Sequence, residues 1–98
     1  MKIEKITNEG ELELKLEGRL DTTTAPLLEA ELKKSIDGVA VLIFDFSELA
    51  YLSSAGLRVL LTAQKVMNKQ GSMCIKHVND TIMEIFEVTG FADILTIE

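Results

Sequence analysis

With 98 residues, sixteen acidic against ten basic side chains and a formal charge of −6, the chain is sized for one domain and has the wrong sign for a nucleic-acid binder. No apolar run approaches the ~20 residues of a membrane-spanning helix, and the opening residues alternate charges where a signal peptide is apolar. A lone cysteine, Cys74, excludes an internal disulfide, and with a lone histidine, His77, it makes no zinc set; the expectation is a cytoplasmic domain with no metal, no cofactor and no direct membrane insertion.

Lys2 to Thr7 and Glu11 to Glu17 alternate polar and apolar residues, with Leu12, Leu14 and Leu16 on one side and Asn8-Glu9-Gly10 as the turn, which predicts an antiparallel hairpin. After Gly18-Arg19-Leu20-Asp21, the threonines 22 to 24 offer N-caps, Pro26 suits a first helical turn, and Leu28, Leu32 and Ile36 recur every four residues. This is an amphipathic helix ending near Asp37-Gly38. Val39 to Phe44 is an unbroken apolar run, the pattern of a parallel strand buried on both faces, and Asp45 to Gly56 is the loop leaving it. From Ala55 to Lys69, Leu57, Leu60, Leu61, Gln64 and Met67 share one side of a helix, and Arg58, Thr62, Lys65 and Lys69 the other. Gly71 closes it and Ser72 to Val78 reads as a strand. Asn79 caps a third helix with Ile82, Ile85, Phe86 and Thr89 inward, Gly90 ends it, and Ile94 to Ile97 makes a last short strand. Strands alternating with helices give an α/β fold: one domain over residues 1–98, with a mixed, mostly parallel sheet, an N-terminal antiparallel hairpin and packed α-helices.

In open α/β sheets function gathers in loops leaving the carboxyl ends of strands, where helix N-termini present free N–H groups. Gly18 to Thr24 and Asp45 to Gly56 are the two such loops. Ser53-Ser54-Ala55-Gly56 opens the second helix, and hydroxyls in that place are ordinary N-caps. Ser54, however, lies four residues before Arg58 in line with the polar stripe, so its hydroxyl is expected to face another protein while Ser53 caps. No acid stands between Glu48 and Asp80, whereas Arg58, Lys65, Lys69 and Lys76 do. A phosphate on Ser54 would therefore sit at a helix N-terminus, favoured by ~0.3–1 kcal/mol, with Arg58 one turn away.

A hydrolytic nucleophile finds little support. In the elbow G-x-S-x-G, Leu52 stands where the first glycine must be, His77 sits at a strand end, and no phosphate-binding glycine loop occurs. The chain is expected not to be an enzyme. Asp21, just ahead of a helix, suits a cap or a turn stabiliser, and cap and recognition weigh about evenly for it; Met67, Met73, Met83 and Cys74 read as core or strand hydrophobes.

Gly18-Arg19-Leu20-Asp21 with its Thr/Ala/Pro run, the strand Val39 to Asp45, the segment Tyr51 to Leu61 and the closing Thr89-Gly90-Phe91 together resemble the STAS domain of the bacterial anti-sigma-factor antagonist family over nearly the whole chain. The serine segment is the specific part. The resemblance implies an interaction protein with a phosphorylatable serine at the start of the second helix, at Ser54 in this register; many members carry aspartate just before it, where this chain has Ser53. Asp21, Ser53, Ser54, Gly56 and Arg58 are the expected partner-binding residues. The resemblance further implies that the unphosphorylated domain binds an anti-sigma factor that is also a serine kinase of the histidine-kinase-like ATPase fold, which frees the sigma factor. Phosphorylation then breaks the complex and a metal-dependent serine phosphatase restores it. The alternative is a non-catalytic STAS subunit of a membrane transport complex, in which phosphorylation need not matter.

Overall fold

The computed structural model describes residues 1–98 in the order β1 (Lys2–Asn8), β2 (Glu11–Leu20), α1 (Ala25–Ser35), β3 (Val41–Leu52), α2 (Ser54–Gln70), β4 (Ser72–Lys76) and α3 (Asp80–Thr89), closed by a 3-10 turn at Phe91–Asp93. The four strands lie in the sheet in chain order, β1 antiparallel to β2, and β2, β3 and β4 mutually parallel. Because the chain steps across the sheet in one direction, right-handed crossovers send α1 and α2 to the same face. Leu12, Leu14 and Leu16, Leu42 and Phe44, and Met73 and Ile75 point into that face and are buried. The Phe46 ring lies 6.2 Å from Phe44 and 6.5 Å from Phe86, which ties α3 into the same layer. This mixed sheet with its N-terminal hairpin and packed helices is the predicted α/β fold.

The other face of the sheet is open, which corrects the expectation of a central strand covered on both sides. Val41 and Ile43 alternate with fully buried Leu42 and Phe44 but are themselves only half-buried. A second correction concerns length, since β3 does not stop at Asp45 but runs on through the supposed loop to Leu52. Its register against β2 slips between Lys15 and Glu17 and again between Gly18 and Arg19, each time by an additional residue of β3. Two such bulges leave Phe46, Leu49 and Leu52 buried at three-residue spacing, so the two-residue period of a strand is hidden.

The C-terminal third departs in smaller ways. β4 ends at Lys76, not Val78, because His77 adopts a left-handed backbone (φ 61°) and turns the chain toward α3. Thr89 is exposed, not inward; its hydroxyl donates back to the Ile85 carbonyl at 2.6 Å. Ile94 to Ile97 is no strand. Past the left-handed Gly90 the chain folds into the 3-10 turn, and only Ile97 bridges to Ile75, where the Ile75 N–H donates to Thr96 O and the Glu98 N–H to Ile75 O, both at 2.9 Å.

Candidate functional site

Two parallel strands end level with each other, and that fact builds the site. Leu20 is the register partner of Leu52, and the Ser53 N–H donates to the Leu20 carbonyl at 2.9 Å. The chain leaving β2 and the chain entering α2 therefore emerge side by side at the carboxyl end of the two central strands, as expected for the Asp21 and serine loops.

Ser53 has extended backbone (φ −97°, ψ 174°) and occupies the N-cap of α2; its hydroxyl accepts from the Gly56 N–H at 3.4 Å and its carbonyl from the Leu57 N–H at 3.0 Å. Ser54, the first residue of the helix, is exposed, and the first turn holds no acid. Arg58 is exposed one turn on, with its carbonyl accepting from the Thr62 hydroxyl at 3.0 Å. Gly56, expected at the partner contact, is instead buried. A Cβ there would come within 2.7 Å of Leu52 Cδ1 and 2.8 Å of Leu20 Cγ, so Gly56 lets the start of α2 settle directly on the two strand ends. It supports Ser54 from beneath.

Asp21 does not cap α1 but staples its own turn. Its Oδ1 accepts from the Thr23 hydroxyl (2.8 Å), the Thr23 N–H (3.0 Å) and the Thr24 N–H (3.1 Å). The N-cap position of α1 is Thr24, whose hydroxyl serves the loop instead, accepting from the Asp21 N–H and donating to the Arg19 carbonyl, both at 2.8 Å. The Thr23 hydroxyl, with the two backbone N–H groups, outweighs partial desolvation and holds the Asp21 pKa at about 2. Its second oxygen, Oδ2, lies 3.6 Å from Arg19 Nε, and the Arg19 guanidinium sits 4.2 Å over the Tyr51 ring. Arg19 and Tyr51 went unnoticed as site residues because their juxtaposition depends on the second bulge, which pairs Arg19 with Tyr51 and not with Ala50.

His77 belongs elsewhere. Its Nδ1 lies 3.0 Å from Asp45 Oδ1, while Ser54 has no side chain bonded to its hydroxyl that could act as a base. Burial raises the Asp45 pKa, but the Ser47 N–H at 2.9 Å and His77 prevail and leave it at about 2. Asp21 and Asp45 both titrate below their ordinary value near 3.8 when folded. A depressed carboxylate adds stability above its unfolded pKa and loses it as pH falls toward the folded one. Urea midpoints are therefore expected to fall between about pH 4 and pH 2, and Asp45→Asn to flatten that slope. An unchanged slope in the variant would show that Asp45 does not carry the effect.

Beside the serine a cleft opens between α1 and α2, rimmed by Thr22, Pro26, Glu29, Arg58 and Thr62. The arrangement is an exposed hydroxyl at a helix start, a hydrogen-bonded loop carrying Arg19 and Asp21 next to it and cations down the helix, all of which suit docking of another protein.

Comparison with known proteins agrees with this layout. Residues 2–98 match the STAS domain model. BtrV of Bordetella bronchiseptica is 35% identical over 99 residues, covering 99% of this chain and 85% of BtrV. The anti-sigma-B factor antagonist of Staphylococcus aureus is 31% identical over 97 residues, covering 97% and 90% of the two chains. Bacillus SpoIIAA shares the fold at 17% identity: its unphosphorylated form superimposes with a TM-score of 0.79 over 99% of this chain and 87% of its own, and its phosphorylated form with 0.77 over 99% and 91%. With matches that run from end to end, this chain belongs to the STAS domain family of anti-sigma factor antagonists.

Proposed function

We propose that the domain is a non-catalytic regulator whose binding to an anti-sigma factor serine kinase of the histidine-kinase-like ATPase fold is switched off by phosphorylation of Ser54 and restored by a metal-dependent serine phosphatase. The observation that carries this is the division of labour between adjacent hydroxyls: Ser53 is committed to capping α2, and Ser54 is free and exposed. The relatives named as anti-sigma factor antagonists, and a structural neighbour known in phosphorylated and unphosphorylated forms, support the reading. Arg19 and Asp21 extend the docking surface on the neighbouring loop, and Arg58 extends it along α2.

Mass spectrometry after incubation of the purified chain with its host's anti-sigma kinase and ATP is expected to place one phosphate on Ser54. Ser54→Ala should abolish it, whereas Ser53→Ala should keep it and cost roughly 1 kcal/mol of stability through the lost cap. Phosphate on Ser53 alone would overturn the assignment.

A further inference from the structure

α2 carries a charge pattern that the rest of the molecule does not share. Most cations elsewhere in this acidic domain have a carboxylate at hand: Lys5 is 3.4 Å from Glu31, Lys33 is 3.8 Å from Glu29, Lys76 is 3.3 Å from Glu13 and Arg19 is 3.6 Å from Asp21. Arg58, Lys65 and Lys69 have none within ion-pair distance, and all three are exposed. At 100° per residue they fall with Ser54 inside an arc of about 60°, forming one stripe along the helix. With a rise of 1.5 Å per residue, Lys65 lies ~17 Å and Lys69 ~22 Å beyond Ser54, out of reach of any phosphate placed there. The stripe is bordered by an apolar trough between α1 and α2, floored by Leu32, Ile36, Val59, Ala63 and Val66.

We propose that this stripe is a docking rail for an acidic protein surface, and that the partner kinase presents such a surface, with apolar side chains seated in the adjoining trough. This rests on the reading of the serine edge as kinase-binding and adds the chemistry of the partner. Charge complementarity argues for it: a domain of charge −6 with one cationic face is a dipole, which turns that face toward an acidic partner during approach and brings Ser54 in with it. Polyanions fit less well. Three cations on a net-negative domain are fewer than the roughly six to ten phosphate contacts of a DNA binder, and neither a phosphate backbone nor a lipid headgroup fills an apolar trough.

The test measures association of the host's anti-sigma kinase with the full chain by stopped flow, from about 50 to 300 mM salt. Lys65→Glu/Lys69→Glu should lower the association rate about tenfold at the lowest salt and remove most of its salt dependence. Lys2→Glu/Lys34→Glu changes net charge equally and should leave the rate near wild type. Equal slowing by both pairs, or by neither, would overturn the rail and leave the Ser54 switch standing. Binding that is salt-dependent and lost in Lys65→Glu/Lys69→Glu, without phosphate on Ser54, would support the rail and overturn the switch. Failure of the wild-type chain to bind the kinase while it is retained by duplex DNA or by phosphatidylglycerol vesicles would overturn both.

Discussion

Ser54→Asp is expected to bind the anti-sigma kinase at least about tenfold more weakly than wild type, while Ser54→Ala binds as wild type does. The two changes differ in what they bring into the interface. Alanine leaves it neutral, whereas aspartate carries a charge that must be desolvated on docking, at a cost of several kcal/mol unless the partner pairs it, and 1.4 kcal/mol already corresponds to tenfold. The free domain should respond in the opposite direction. α2 has no acid in its first turn, so an aspartate at its first residue interacts favourably with the helix dipole by ~0.3–1 kcal/mol. Titration calorimetry alongside thermal unfolding would thus show weaker binding by an equally or more stable protein. Equal affinities for the two variants would remove electrostatics as the basis of the switch.

The largest loss of stability is expected from a residue far from the serine. Gly71, between α2 and β4, has extended backbone (φ 175°) that any residue can adopt, so conformational freedom is not what it supplies. A Cβ there would overlap the Ala40 carbonyl, whose oxygen accepts from the Ser72 N–H at 2.9 Å as β4 enters the sheet beside β3. Backbone cannot rotate aside as a side chain can. Gly71→Ala should cost roughly 3 kcal/mol or more and lower the melting temperature by at least about 10 °C. Gly38→Ala makes a useful contrast, since Gly38 has φ 77° but open space around it and should lose only about 1 kcal/mol to backbone strain. Similar melting temperatures for the two variants would mean that the close approach to Ala40 does not constrain the fold.

Regular periodicity carried most of this fold into the sequence. The hairpin is legible in Leu12, Leu14 and Leu16, and the third helix in its Asn79 cap and left-handed Gly90. The second half of β3 was illegible for a physical reason: Asp45, Ser47 and Glu48 interrupt the apolar run, and two bulges shift the buried positions to Phe46, Leu49 and Leu52. A reader who expects alternation finds a loop there. At the site, the capping of α2 by Ser53 and the exposure of Ser54 follow from helical register, which is local. The packing of Gly56 is not legible, because the steric fit against Leu20 and Leu52 requires two strands and a helix to be assembled first. The Arg19 and Tyr51 pair is likewise a product of cross-strand register.

A sheet in which each strand pairs only with its neighbours in the chain has a consequence for how the domain assembles. No strand must be threaded between two that formed earlier, so each parallel pairing closes only the single helical crossover that lies between its two strands. Growth can proceed outward from the hairpin as synthesis supplies β3, β4 and α3 in turn. The strand ends at Leu20 and Leu52 are in place once β3 has joined β2, and α2 follows directly in the chain. The surface that carries Ser54 therefore belongs to the part of the domain able to form before its C-terminal third exists.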